Sequence, residues 1–304
     1  MQTFINKRKQ QENKNLFNVN GFLLTELLVI GALLAVIALS AALILRYNSS
    51  KQNSVASNSD GATASLIPKA QRYWIMDAPV IKELASNPEV NKTLINDTIF
   101  VPVKKDLQIV KQLSGLRIVP VESFSSEAQL ARAIQTNSIS SSIKVLLYDN
   151  EDWALTPQLE QANLVSYYQR AASLAHSHGY LLIGTPVSKV NSQAAIQIAP
   201  YVDVLDIQSQ YDQASATNYA QHVLPLAEGA RQANQNLIIL SGLSTNPPAG
   251  IPTAQQLLAD ALTVTKYVQG YWLNVPTPGA ACPNCNLPQP QIGIDFINLL
   301  GSKP

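Results

Sequence analysis

Two acidic residues, Asp149 and Glu151, have the types and the spacing that best fit catalytic chemistry in this sequence. They follow Lys144–Tyr148, an apolar run with the length and composition of a strand. Residues two apart in an extended chain point to the same side, so both carboxyl groups face one way. Two close carboxyl groups push their pKa values apart, which makes one of them suitable as a general acid. The pair therefore predicts an acid–base site with Glu151 and Asp149 as its catalytic residues.

Other polar and aromatic residues lie at the ends of further apolar runs of strand length. They are Asp77, Gln208, Gln210, Tyr211, Asp212, Trp272 and Asn274. Amides and carboxylates exchange hydrogen bonds with hydroxyl groups, and an aromatic ring covers the apolar face of a sugar. This mixture predicts substrate-binding residues for a carbohydrate ligand.

The elements that must position these residues alternate regularly after residue 72. Eight apolar runs have strand character: Tyr73–Met76, Thr98–Val103, Arg117–Val121, Lys144–Tyr148, Tyr180–Gly184, Val202–Ile207, Leu237–Leu240 and Gly270–Val275. Helical patterns cover Pro79–Ile95 with an interruption at Pro88, Thr156–His178, Ser215–Asn234, Thr253–Tyr267 and Gly293–Leu300. Such alternation predicts an α/β fold with a parallel sheet, and eight units predict a closed (β/α)8 TIM barrel. An open doubly wound sheet is the alternative, but no Gly-rich dinucleotide turn follows the first strand.

A barrel of this kind would bring the candidate residues together, because its strands all end at one rim, where such enzymes place their active sites. The Asp149-x-Glu151 pair resembles the end of strand four in chitinase-type (family 18) glycoside hydrolases. Tyr211-Asp212 and Trp272 stand where that family has ligand-contacting residues. The resemblance implies that Glu151 is the acid, that Asp149 orients a substrate acetamido group, and that this group is the nucleophile. An earlier acidic residue and glycines of the family motif are replaced here by Val145, Leu146 and Leu147.

Three interpretations of this rim stay open on the sequence alone. The barrel hydrolyses a glycan, or it binds a glycan without turnover, or the rim is structural and Glu151 and Asp152 cap the following helix or a loop. No histidine spacing forms a metal site, and no cofactor is predicted. Cys282 and Cys285 predict a small disulfide loop after strand eight in an oxidising compartment, with a free or redox-active pair as the alternative.

The N-terminus has the pattern of a membrane anchor. A basic leader containing Lys7, Arg8, Lys9 and Lys14 precedes an uncharged stretch from Leu27 to Leu45. At 1.5 Å per residue this stretch just spans a hydrocarbon core of about 30 Å. Positive charge before the span predicts a single-pass protein of the cell membrane with its C-terminal part outside the cytoplasm.

Gly21-Phe22 followed by Glu26 resembles the type IV prepilin signature. The resemblance implies that prepilin peptidase cuts after Gly21, that Phe22 is then N-methylated, and that Glu26 pairs with the terminal amine of another pilin subunit. A carboxylate at the edge of an apolar helix is costly without such a partner. A plain signal anchor is the alternative.

The predicted organisation is a leader (1–21), a helix in the lipid bilayer (22–47), a flexible linker rich in Ser, Asn and Gln (48–72), and the barrel (73–304). Charged residues make up 13% of the chain and the net charge is +1. This balance lacks the basic footprint of a nucleic-acid-binding protein. The sequence as a whole predicts a membrane-anchored, pilin-like surface protein whose glycosidase-like barrel acts on or binds a polysaccharide. The alternative is a minor pilin or adhesin whose barrel is a structural or carbohydrate-binding head.

Overall fold

The computed structural model describes residues 66–103, 107–151, 153–187, 193–277 and 288–303. Several predictions fall outside these ranges: the leader, the membrane span, and the residues Gly21, Phe22, Glu26, Asp152, Cys282 and Cys285. They stay predictions. Within the described ranges, no helix has both the length and the apolar character needed to cross a bilayer.

Eight parallel strands close into a barrel in which each strand pairs with its neighbour in sequence and the last pairs with the first. The strands are β1 (Tyr73–Ile75), β2 (Thr98–Pro102), β3 (Arg117–Phe124), β4 (Val145–Tyr148), β5 (Leu181–Gly184), β6 (Val204–Ile207), β7 (Ile238–Ser244) and β8 (Gly270–Asn274). Every predicted apolar run contributes one of them, and β3 and β7 extend past their predicted ends. The predicted closed α/β barrel is confirmed, and the open-sheet alternative is wrong.

Helices connect the strands and surround the barrel. The described helices are α1 (Ala78–Leu84), α2 (Pro88–Leu94), α3 (Gln108–Gln112), α4 (Glu127–Gln135), α5 (Gln158–Ala162), α6 (Leu164–Ser177), α7 (Ala194–Ile198), α8 (Ala216–Ala233), α9 (Ala254–Thr263) and α10 (Pro290–Gly301). The helical patterns missed α3, α4 and α7. The predicted Pro79–Ile95 segment is two helices, because Pro88 begins a new helix whose N-cap, Asn87, accepts backbone hydrogen bonds.

The strands separate two apolar cores, one inside the barrel and one beneath the helices. Successive strand residues point to opposite faces. On β4, Val145 and Leu147 therefore enter the interior core, whereas Leu146 and Tyr148 pack in the outer core. Both faces of the sheet are covered, as is usual for all-parallel sheets. The same alternation decides which residues just past the strands face the barrel axis.

Residues 66–72 belong to the folded domain, although the sequence analysis assigned them to the flexible linker. Ile67 is 4% exposed and lies in the interior core. The Thr98 hydroxyl donates to the Pro68 carbonyl over 3.1 Å, and the Arg72 guanidinium pairs with Asp97 at 3.3 Å. Because Thr98 begins β2, this segment closes the N-terminal end of the barrel. The barrel domain therefore starts before the predicted boundary at Tyr73.

Candidate active site at the carboxyl ends of the strands

The predicted acidic pair lies side by side at the carboxyl end of β4. Asp149 stands two positions after Leu147 and four after Val145, so it continues the inward-facing side of the strand, and it is buried. The Thr185 hydroxyl, just past β5, donates to Asp149 Oδ1 over 2.7 Å. A hydrogen bond also links the carboxyl groups of Asp149 and Glu151. The structure thus brings the two residues into direct contact, as their spacing predicts.

The environment of Asp149 favours its protonated form. Burial raises the pKa of the Asp149 carboxyl well above its usual range, and the nearby charge of Glu151 raises it further. The hydrogen bond from Thr185 opposes this increase only in part. Two carboxyl groups in contact in a desolvated site cannot both ionise cheaply. The pair therefore retains a proton at a pH where an exposed aspartate has lost it.

Gln208 connects the pair to β6, two strands further round the barrel. Its side chain is buried just past β6, and its Nε2 donates to Glu151 Oε1 over 2.9 Å. A half-buried glutamate held in this way keeps one orientation of its carboxyl group. Gln208, predicted as a substrate-binding residue, is therefore also the residue that orients Glu151.

A third acidic side chain, Asp206, lies in the same cluster and was not among the predicted site residues. Asp206 is fully buried, and neither of its carboxyl oxygens has a hydrogen-bond partner among the described residues. Burial, followed by the charge of Glu151, raises the pKa of Asp206 to about 8. The signal that reveals it is the strand period, because Asp206 stands two positions before Gln208 and so faces the same way.

The hydroxyl of Thr156 stabilises the loop that carries Glu151. It donates to the Ser125 carbonyl over 2.9 Å, and accepts from the Glu151 amide over 3.3 Å and from the Trp153 indole over 2.7 Å. Helix α5 has Pro157 as its N-cap and no side-chain capping bond. Glu151 therefore does not cap α5, which removes that part of the structural interpretation for this residue.

A buried polar network supports the end of β4 from the helix side. The Tyr148 hydroxyl donates to Glu160 Oε2 over 2.6 Å and accepts from Asn150 over 2.9 Å. The Tyr168 hydroxyl donates to the Tyr148 carbonyl over 2.8 Å and accepts from the Thr185 amide over 3.1 Å. The backbones that present Asp149 and Thr185 are thereby cross-linked, so the two groups keep their contact.

Three of the other predicted binding residues lie at the same end of the barrel. Trp272 is half-buried on the inner face of β8 and packs against the interior core. Asn274 is two positions further along the strand, also half-buried. Asp77 is exposed after β1, at the N-cap of α1. Their shared position is compatible with ligand contact, which stays a prediction for each.

Gln210, Tyr211 and Asp212 form a 3₁₀ turn after β6. The Gln210 side chain lies against Gly242, where a Cβ would come within 2.6 Å of Gln210 Cδ. Tyr211 is 50% exposed, as a stacking residue would be. Asp212 Oδ2 lies 3.4 Å from His222 Nδ1 on α8, so this carboxylate is paired with a helix of the outer layer.

No three acidic, His or Cys side chains in the described ranges are arranged to hold a metal ion.

Comparisons with known proteins add little to this geometry. No family model and no curated protein matches the chain. Three solved structures illustrate the structural matches. The active domain 2 of a thermostable chitinase from Pyrococcus furiosus, as catalytic-site mutants with chito-oligosaccharides, is 11% identical over 78% of this chain and 96% of that one, with a TM-score of 0.48. A β-1,3-glucanosyltransferase from Rhizomucor miehei is 10% identical, covering 68% and 88%, with a TM-score of 0.42. A sugar phosphate isomerase/epimerase from Parabacteroides distasonis is 9% identical, covering 78% and 96%, with a TM-score of 0.43. These similarities are too distant to indicate an activity, and the chain resembles all three only as an eight-stranded α/β barrel.

Proposed function

We propose that the barrel is a glycoside hydrolase that acts on a polysaccharide, with Glu151 as the general acid. The observation that carries this proposal is the Asp149–Glu151 contact at the carboxyl end of β4, with Gln208 Nε2 orienting Glu151 over 2.9 Å. A buried carboxyl pair that shares a proton has one member ready to protonate a leaving group. The rim position and the aromatic residues nearby support a sugar substrate.

The proposed reaction begins when Glu151 gives its proton to the glycosidic oxygen as the bond to the anomeric carbon breaks. In an N-acetylated substrate the acetamido oxygen bonds to that carbon, and Asp149 orients the acetamido group. Glu151, now ionised, then takes a proton from the water that opens this intermediate. In the reactive form both carboxyl groups are protonated, and Asp149, whose pKa is raised by burial, keeps its proton and stabilises the charge that appears on Glu151.

Activity assays on the full-length protein in detergent test the reaction class. We expect cleavage of N-acetylated glucosamine oligomers and much less cleavage of unacetylated glucans. Binding without cleavage would favour the non-catalytic adhesin, and the absence of both would exclude a sugar-binding head for every glycan tested.

Trp272→Ala should weaken glycan binding while leaving the acid in place. Trp272 presents an indole on the inner face of β8, and loss of its face removes roughly 1 kcal/mol or more of stacking. We expect the KM to rise about fivefold or more while kcat changes less, as measured by steady-state kinetics and by calorimetric titration. Tyr267→Ala, which removes an aromatic ring whose hydroxyl donates to Glu228 on α8, is the control for loss of an aromatic side chain; an equal effect of both changes would point to general loss of stability.

We further propose that the chain is tethered outside the membrane by the segment 22–47 and is processed as a prepilin. The support is the Gly21-Phe22…Glu26 pattern before an uncharged stretch. The mature N-terminus should therefore be an N-methylated Phe22, which mass spectrometry of the membrane fraction identifies. Gly21→Val should block cleavage, whereas Glu26→Ala should leave cleavage intact and impair methylation or assembly. An intact Met1 in the wild-type protein would contradict the prepilin assignment.

A further inference from the structure

Within the described residues, Asp206 has no hydrogen-bond partner that accounts for its burial. It lies on the inner face of β6, its side chain has no exposure, and both oxygens lack a hydrogen-bond partner in the described part of the chain. Burying a carboxyl group without hydrogen bonds costs stability. The other buried acids near the strand ends have such bonds: Asp149 accepts one from Thr185, and Glu160 from Tyr148. Asp206 therefore differs from these two acids in that its burial is not offset by a hydrogen bond among the described residues.

The groups that act on Asp206 belong to the proposed catalytic pair. Glu151 and Asp149, both just past β4, interact electrostatically with its carboxyl group. The charge of Asp206 also acts on the Tyr219 phenol of α8, in the helix layer. This hydroxyl donates to Ser241 and to the Gly242 carbonyl instead of to Asp206. Among the described residues no cation is recorded as acting on Asp206. An ionised Asp206 would thus lie near two further carboxyl groups, those of Glu151 and Asp149.

We infer that Asp206 is a positioning residue that shares one proton with Glu151 across the barrel interior. The inference rests on the proposed function, in which Glu151 must carry a proton to act. Two interacting carboxyl groups lose their protons in two steps that belong to the pair. Between those steps one proton is divided between Asp206 and Glu151, and the fraction on Glu151 stays constant. Burial of Asp206 extends this interval towards alkaline pH.

The test is the pH profile of kcat/KM for Asp206→Asn, an uncharged side chain of nearly the same shape. At pH 5, well below the pKa of Asp206, we expect the variant to retain activity within about threefold. As the pH rises, kcat/KM of the variant should begin to fall at a lower pH than that of the wild type, by tenfold per pH unit. At pH 7.5 the variant should therefore have a kcat/KM on the order of tenfold below the wild type. Alkaline limbs that coincide in the two proteins would overturn the inference.

Asp260→Asn is the matched control. Asp260 on α9 is 1% exposed, one of its oxygens has no hydrogen-bond partner among the residues that the structure describes, and burial raises its pKa to about 7. It lies outside the barrel interior, so the same chemical change should leave the alkaline limb where the wild type has it. An equal shift in both variants would show that the limb reports general stability rather than proton sharing.

Infrared titration of the protonated carboxyl band supplies a measurement that needs no turnover. The difference between the spectra of the full-length wild type and Asp206→Asn should contain a protonated-carboxyl band that persists to about pH 8, because the bands of Asp149 and Asp260 are common to both proteins. In Glu151→Gln its midpoint should move to lower pH, because a neutral neighbour no longer opposes ionisation. A midpoint that does not move overturns the inference even if the enzyme is active. If the midpoint moves but the wild type has no glycosidase activity, the proposed function is wrong, whereas the inference that Asp206 and Glu151 share a proton is supported.

Discussion

Glu151→Gln is expected to reduce glycan hydrolysis by roughly 10²–10⁴-fold while leaving glycan binding nearly unchanged. The amide keeps the shape of the side chain and its contact with Gln208 but has no proton acidic enough to transfer to a leaving group. The loss should appear in kcat more than in KM, because the missing interaction belongs to the transition state. Steady-state kinetics on an N-acetylated oligomer and calorimetric titration of the same ligand measure the two effects.

Glu228→Gln provides the control for this result. Glu228 is an exposed glutamate in the outer layer, on α8, and its carboxylate accepts from the Tyr267 hydroxyl over 2.8 Å. The same substitution there should not alter kcat. Retention of wild-type kcat by Glu151→Gln would place the acid elsewhere, and equal losses in both variants would indicate misfolding.

Gly270→Ala is expected to destabilise the barrel severely. Gly270 begins β8, where it pairs with Tyr73 of β1 and Leu240 of β7, and a Cβ at this position would lie 1.8 Å from the Tyr73 carbonyl oxygen. A backbone atom cannot move aside as a side chain does, so the methyl group must push apart the two strands that close the barrel. We expect a loss of about 3 kcal/mol or more. For a domain of this size the Tm falls by on the order of 10 °C, which thermal unfolding followed by circular dichroism measures.

Gly293→Ala makes the same change in a tolerant place. Gly293 lies within α10, and the nearest atom to an added Cβ is a Leu84 methyl at 3.3 Å. A small displacement of that side chain accommodates the methyl, and alanine gains up to about 1 kcal/mol of helix propensity. The Tm should therefore change by only a few degrees. A Gly270→Ala protein that melts with the wild type would mean that the β1–β8 junction is looser than the structure shows.

The strands and most of the longer helices could be predicted from the sequence because their patterns are local. Apolar runs of four to six residues, separated by helical spacing, are enough to specify alternation, and alternation favours the parallel barrel. Two of the missed helices, α3 and α7, are five residues long and carry too few periodic positions to recognise, whereas the missed α4 has nine residues. The Asp149–Glu151 contact was predictable for the same reason, since both residues stand on one short segment.

The rest of the candidate site depends on barrel closure. Gln208 reaches Glu151 although 57 positions separate them, and Asp206 joins the cluster only because β6 turns the same face inward as β4. No local pattern reports such neighbours, because the register of eight strands decides them. Barrel closure also makes residues 66–72 part of the folded domain rather than of the predicted linker, because Ile67 packs in the interior core at its N-terminal end. The sequence by itself determined the strands and the acidic pair, whereas the tertiary structure decided which distant side chains surround and orient that pair.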